Sequence, residues 1–337
     1  MIILSNCLTK TVDEGCRKVA NSLIRRIKRE EPKTTVVSYE NGAGLGDMHL
    51  KINKLMLSKK LRHLLRQKKE PLLYVPAPAK MLSAAIRIFI LSRYAKWGLQ
   101  ALMVMTFPID RFSGFLLRKS GARVIAMSGE SWKQYRDVIG DRAVYLKAGV
   151  DTQRFCPVDD RQKIALREAY GIPTGKKVAL HVGHLNAGRN VSQLLKLDEN
   201  WHGVLVVSTL TAGEQDASLR MQFQKQENMT LIDRYLPNVQ ELYQLADAYL
   251  FPVEESGRCI DVPLSALEAA ACGIPVVTTP YGELRELIGE AGFYPIESFE
   301  PAALNALMNT AAAAGISPRQ SVLEYDWNIA VEKCCFT

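Results

Sequence analysis

The sequence predicts an α/β protein made of two parallel-sheet halves, and three observations carry that expectation. Short apolar runs alternate with segments of helical spacing along the chain, the pattern of strands joined by helical crossovers. The 337 residues suffice for two domains of ordinary size. Charge also divides the chain: residues 1–150 hold 28 Lys and Arg against 11 Asp and Glu, a net of +17, while the remainder nets −9. Such a split argues for halves with different partners, and a basic half suits anionic ones such as lipid headgroups, phosphate or nucleic acid.

Composition narrows the class further. Apolar residues make up 47% of the chain, enough for substantial cores. No apolar run reaches the ~18 residues of a membrane-crossing helix. The start, MIILSNCLTK, lacks a basic region followed by a long apolar one, so no signal peptide is expected. The seven cysteines are scattered apart from Cys334 and Cys335, with no CxxC pair and no Cys/His cluster of zinc spacing. This usage fits a reducing cytoplasm, and neither a metal nor a cofactor is expected.

In chain order, Ile2–Leu4 is a short buried-type strand, and Cys16–Arg29 has helical spacing through Val19, Leu23 and Ile27. Asp13, Glu14 and Gly15 stand at the carboxyl end of that strand, where open α/β sheets admit ligands. Gly15 there either lets a ligand approach the backbone or is only a turn glycine. Thr34–Tyr39 is a second strand. The following NGAGLGD, 41–47, is Gly-rich but matches neither GxGxxG nor a Walker lysine, and is expected as a loop. Residues 53–69 are expected as one helix, with Leu55, Leu57, Leu61, Leu64 and Leu65 among eight basic residues, His63 included, and no acid. Such a helix either lies on an anionic membrane or is a surface helix with a solvated basic face. Residues 81–97 mix Ile, Phe and Leu with Arg87, Arg93 and Lys96 and end in Tyr94 and Trp97, which favour the interface. Leu72–Val75, Ala101–Met105 and Ala122–Met127 are expected strands.

Val144–Asp151 is a strand and turn, and VDTQRFCPVD, 150–159, is the expected link between the halves. After a helix over 160–170, Lys177–Val182, Val204–Ser208, Met229–Ile232, Ala248–Phe251 and Val276–Thr278 form a second strand set. Within it, residues 262–283 predict a short helix, a tight turn and a buried strand. Pro263 suits a helix start, Leu264, Leu267 and Ala271 share a face, and Gly273 can end the helix in a left-handed conformation. Glu268 lies mid-helix. A helix N-terminus is a natural phosphate site, and a carboxylate one turn in could hold a ribose hydroxyl. The plainer alternative is a packing helix with one exposed Glu.

HVGHLNAGRN, 181–190, is the other chemical constellation. A strand runs into Gly183, His184, Gly188 and Arg189, with a helix expected after them. Amides and a planar guanidinium there suit a diphosphate; Arg189 as a mere surface charge and His184 as a turn histidine are the alternatives. Between the two stretches, Asp261 in SGRCIDVP, 256–263, either meets sugar hydroxyls or caps the following helix.

These residues resemble the retaining glycosyltransferases of family four. KAGVDTQRFCP is similar to that family's linker, HVGHLNAGRN to its vGRLxxxKG loop, and LIDRYLPNVQELYQLADAYLFPVEE to its next conserved block. PLSALEAAACGIPVVTTPYGELRELI is similar to its plLEAmAcGlPVV segment and EYDWNIAVEK to its terminal helix. The five segments fall in register, most strongly over 144–283. The resemblance implies the GT-B fold of two doubly wound, Rossmann-like domains facing across a cleft. It implies a first domain over 1–152, a nucleotide-sugar domain over 153–320, and a terminal helix over 321–337 returning to the first. It gives Arg189 the place of a lysine that neutralises the leaving diphosphate, and Glu268 the ribose. Gly15, His184, Leu236, Asp261, Val262, Leu264 and Ser265 are implied to line the substrates. Two departures stand out: Ile260 occupies the place of the family's first glutamate, so that either Asp261 or the pair Glu254 and Glu255 substitutes or the backbone makes the donor-sugar contacts, and MTFP, 105–108, lacks a histidine, so the first half is assigned no catalytic acid or base.

The expected function is therefore metal-independent transfer, with retention, of a sugar from a nucleotide-diphosphate donor to a glycan or lipid-linked acceptor. The protein is expected in the cytoplasm, peripheral on an anionic inner membrane face through 53–69 and 81–97. The alternatives are a GT-B relative that does not transfer, such as a sugar-nucleotide epimerase, or a basic nucleic-acid-binding protein. Nucleic acid is not an expected partner, because the basic residues are not interleaved with an aromatic stacking platform.

Overall fold

A computed structural model describes residues 1–10, 14–40, 42, 44–207, 216–255 and 257–333. Asp13, Asn41, Ala43, Ser208, Ser256 and the last four residues of the helix expected over 321–337, Cys334 and Cys335 among them, lie outside the described residues. The chain forms two compact units. The first comprises Met1–Ala148, Ile260–Val262 and Trp327–Thr337; the second comprises Gly149–Cys259 and Pro263–Asp326.

The first unit holds strands β1 (Ile2–Ser5), β2 (Thr35–Ser38), β3 (Met48–His49), β4 (Leu72–Val75), β5 (Leu99–Met103), β6 (Arg123–Ala126) and β7 (Ala143–Tyr145). Its helices are α1 (Gly15–Glu30), α2 (Lys59–Lys68), α3 (Met81–Ser92), α4 (Arg111–Ser120) and α5 (Gly129–Ile139). The strands are all parallel, in the order β3-β2-β1-β4-β5-β6-β7. Strand order reverses direction between β1 and β4, and that reversal opens a crevice at the strands' carboxyl ends. Leu4, Tyr74, Ala101 and Val124 from neighbouring strands are fully buried in one core.

The second unit holds α6 (Asp160–Ala169), β8 (Lys177–Gly183), β9 (Trp201–Val207), α7 (Ala217–Lys225), β10 (Met229–Ile232), α8 (Gln240–Gln244) and β11 (Ala248–Phe251). It continues through α9 (Leu264–Ala271), β12 (Val276–Thr278), α10 (Leu284–Leu287), β13 (Phe293–Pro295), α11 (Pro301–Ala313) and α12 (Arg319–Val322). Its sheet is again all parallel, β10-β9-β8-β11-β12-β13, with the reversal between β8 and β11. The last helix, α13 (Trp327–Lys333), belongs to the first unit, where Glu332 meets Arg26 of α1 at 3.3 Å.

Several expected elements change extent for local reasons. The helix expected over 53–69 begins only at Lys59. Asn53 Oδ1 accepts the Leu55 and Leu57 N–H groups (3.2 and 2.8 Å), folding 53–57 into a turn, and Ser58 caps the helix by accepting from Leu61 N. Leu61 and Leu65 are buried in the core while the basic side chains face outward. α3 likewise turns Met81, Ala84, Ala85, Ile88 and Leu91 into the core. Of the large apolar side chains in the two stretches, Leu55, Leu57, Leu82 and Trp97 remain exposed. The strand expected at Ala101–Met105 runs instead from Leu99 to Met103, in register with β4 through Leu72 and Leu99. No helix among the described residues is long and apolar enough to cross a membrane.

Candidate active site

The second unit brings two expected residues to its crevice. β8 ends at Gly183 beside the β8–β11 reversal, and the next residues carry Arg189. The helix expected after this loop is replaced by two 3-10 segments, Ala187–Arg189 and Val191–Lys196. Asn186 Oδ1 accepts the Arg189 N–H (3.1 Å), and Asn190 adopts a left-handed φ of 53° between the segments. Asparagine side chains compete with helical hydrogen bonding in this way. Arg189 is not a surface charge: its residue is 8% exposed, and its Nε is buried without a hydrogen-bond partner. A buried unpaired donor is costly, roughly 1–3 kcal/mol.

Glu268 comes from α9, the helix after β11 on the other side of the reversal. It is 4% exposed, which removes the reading of a packing helix with a solvated glutamate. The Tyr243 hydroxyl donates to Glu268 Oε2 at 2.7 Å. Burial, and then the neighbouring Glu268 charge, push the Tyr243 phenol well above its ordinary pKa, so it stays a donor. Tyr249 ties the two halves of the crevice together. Its hydroxyl lies beside Val182, it bonds Ser265, and it feels both the Glu268 and Arg189 charges. Arg189, Ser265 and Glu268 thus surround one buried tyrosine.

His181, which the sequence analysis did not single out, completes this cluster. It is fully buried on β8, its ring roughly parallel to those of Tyr249 and Phe251. Nδ1–H donates to the Leu250 carbonyl at 2.8 Å, which leaves Nε2 as the unprotonated nitrogen of a neutral ring, buried and without a partner. Burial, with the Arg189 charge adding to it, pulls the His181 pKa down to about 4. An added Cβ on Gly183 would lie 3.0 Å from His181 Nε2 and 3.1 Å from Arg189 Nη1, so the glycine opens the space these two groups share.

The other expected residues fall elsewhere. His184 is half-buried in the loop after β8, Leu264 opens α9, and Leu236 lies in the turn after β10. Gly15, Asp261 and Val262 belong to the first unit. There Ile260 packs on Gly15, its Cδ1 2.9 Å from where a Cβ would stand. Asp261 does not cap α9, whose N-cap position is Pro263 with no side-chain cap bond. Its backbone N–H instead donates to the Val104 carbonyl at 2.9 Å. Its carboxylate accepts from Thr106 N (3.1 Å) and Ser131 Oγ (2.5 Å). Burial pushes the Asp261 pKa up to about 6. No group of three metal-ligating side chains occurs among the described residues.

Two parallel doubly wound sheets, one with buried cationic and acidic groups at its strand-order reversal, define a GT-B-type α/β protein. Comparison with known proteins bears on this class: residues 176–312 match the family model described as "Glycosyl transferases group 1". A curated relative is the lipopolysaccharide core biosynthesis mannosyltransferase LpsB of Rhizobium meliloti. The two are 29% identical over 192 residues, 52% of this chain and 50% of LpsB, so the match spans about half the length of that relative. Among solved structures, Anabaena HepE in complex with UDP-glucose superposes with a TM-score of 0.73 at 14% identity, covering 97% of this chain and 95% of HepE. A glycosyltransferase from Rickettsia africae gives 0.70 at 14% identity, covering 98% and 96%. At such identities these structures attest the fold.

Proposed function

We propose that the protein transfers a sugar from a nucleotide-diphosphate donor to a glycan or lipid-linked acceptor. The observation that carries this reading is the pairing of buried Arg189 and buried Glu268 across the strand-order reversal of the second unit. Cleaving the bond between sugar and diphosphate places negative charge on the leaving oxygens. Arg189, with amides at the start of α9, would stabilise that charge as it develops in a site that excludes water. Glu268, fixed by Tyr243, would accept from the ribose hydroxyls. His184, Leu236, Leu264 and Ser265 would line the donor, while Gly15, Asp261 and Val262 would serve the first unit, over residues 1–152 in the main.

Retention of anomeric configuration and independence from metal rest on the resemblance to family four. A cell-envelope acceptor rests on the similarity to LpsB, whose name places it in lipopolysaccharide core synthesis. The net charge of +17 in residues 1–150, together with exposed Leu55, Leu57 and Trp97, supports peripheral attachment to the anionic inner face of a membrane.

Donor hydrolysis and nucleotide titration with UDP-, GDP- and ADP-sugars test the reading. One donor should react, and Arg189→Ala should weaken its binding or turnover at least tenfold, the scale of a lost charge-assisted contact of ~1.5–3 kcal/mol. Silence across the three donors, with Arg189→Ala indistinguishable from the parent, would overturn it.

A further inference from the structure

The strand-order reversal of the second unit gathers an unused hydrogen-bond acceptor and an unused donor in one small space. His181, on β8, is fully buried, and its Nδ1–H donates to the Leu250 carbonyl of β11 at 2.8 Å. That bond fixes the tautomer and leaves Nε2 with a lone pair and no partner. Arg189, itself buried, carries five N–H groups, and its Nε is likewise without a partner. A Cβ on Gly183 would stand 3.0 Å from His181 Nε2 and 3.1 Å from Arg189 Nη1, so the two nitrogens flank one point and lie within about 6 Å of each other.

The other rings and hydroxyls around His181 are already committed. The Tyr249 ring lies nearly parallel to the imidazole at 6.0 Å, and its hydroxyl donates to the Val182 carbonyl and bonds Ser265. Phe251, the other ring against His181, has no polar side-chain atom. Arg189 is the donor that remains, and a turn of its guanidinium closes the gap. A neutral acceptor suits that task. A carboxylate in the same place would orient the guanidinium but offset its charge, and with it the attraction for an anion. An uncharged imidazole orients Arg189 and leaves its full positive charge to the site. The missing Cβ at Gly183 keeps the space between the two groups open.

We infer that His181 positions Arg189: when a donor diphosphate enters, one guanidinium N–H donates to His181 Nε2 and the remaining N–H groups meet the phosphate oxygens. His181 touches neither substrate nor reacting atoms and acts only through Arg189. The inference rests on the transfer reading above and deepens it, because a guanidinium held in place stabilises developing charge without reorganising.

A double-mutant cycle on the full chain tests it, with UDP, GDP and ADP as the probes in calorimetric titration. His181→Asn keeps an amide N–H in the place of Nδ1, for Leu250, and puts nothing in the place of Nε2. His181→Phe keeps the ring and its stacking, so a folding failure of one variant leaves the other, and thermal melting checks both. In the parent background either variant should weaken the nucleotide about tenfold, the scale of one charge-assisted hydrogen bond. In the Arg189→Ala background the same change should weaken it less than about twofold, because the group that His181 positions is gone. A purely structural histidine would give the same factor in both backgrounds. NMR of protein carrying 15N-histidine gives an independent reading, with the His181 signal identified by its loss in His181→Asn. On addition of nucleotide the Nε2 resonance should move upfield in the parent, as an accepted hydrogen bond requires, and stay in place in Arg189→Ala. Equal factors in the two backgrounds, or an unmoved Nε2 signal in nucleotide-saturated parent, would overturn the inference and leave the donor reading standing. Binding of none of the three nucleotides to the parent would overturn the donor reading and this inference with it.

Discussion

His181 makes the acid stability of the second unit predictable. Its folded-state pKa is about 4, held down by complete burial, whereas an unfolded histidine titrates near 6.5. Between those values the unfolded chain binds more protons than the folded one, so stability falls as pH drops. The contribution is whole above about pH 6.5, is reduced by roughly 2 kcal/mol at pH 5, and reaches a loss of about 3 kcal/mol once pH passes below 4. His181→Gln removes the titration while keeping an N–H donor for the Leu250 carbonyl that His181 Nδ1 now serves. The variant should be less stable than the parent at pH 7.5, by about 1–3 kcal/mol for a disturbed buried site. That difference should shrink or reverse as pH falls, because only the parent carries the histidine's proton linkage. Urea denaturation of both proteins at half-unit steps from pH 7.5 to 4.5 measures it. Parallel stability curves across that range would show that His181 is not held neutral by burial, and the assignment of Nε2 as a lone-pair nitrogen beside Arg189 would fall with it.

Two further outcomes follow from the same structure. Gly183→Ala should lower both thermal stability, by about 1–3 kcal/mol for a crowded core position, and nucleotide affinity. Its Cβ would press on His181 Nε2 and Arg189 Nη1 at 3.0 and 3.1 Å. Unchanged melting and unchanged UDP and GDP titrations would refute the shared space at this glycine. Vesicles containing phosphatidylglycerol should co-sediment the protein and release it as salt rises, because exposed basic side chains near an anionic surface contribute ~1 kcal/mol each. Equal sedimentation with neutral phosphatidylcholine vesicles would dispose of the electrostatic attachment.

Much of the architecture was legible because its cues are local. β4, β10, β11 and β12 coincide with expected strands, each a short apolar run bounded by turn residues or Pro. Arg189 and Glu268 were legible as candidates because each follows a strand in the stretch where such sheets bind ligands. What escaped was non-local or decided by side-chain competition. The 3-10 turns at Arg189 depend on Asn186 bonding the backbone and on Asn190 taking a left-handed φ, neither of which helical periodicity registers. Tyr243 lies 25 positions before Glu268, and only the fold makes it that carboxylate's partner. Asp261 precedes a helix, where sequence favours a cap, yet its partners are 155 and 130 positions away. His181 could have been noticed as a polar residue inside an apolar strand, although its lone pair becomes evident only once Leu250 is placed opposite Nδ1. The helices α4 and α5 passed unnamed even though Asp110 and Ser128, which cap them, are legible start residues.

The first unit is assembled from three separate stretches of chain, the last beginning at Trp327. On the ribosome its sheet can form early, but Gly15 meets Ile260, and α1 meets α13, only after residues 260 and 327–333 have been made. The amino-terminal half must therefore wait, with part of its surface bare, while almost two hundred further residues emerge. For the same reason, a fragment ended at Ala148 would be an unfinished body rather than an excised domain.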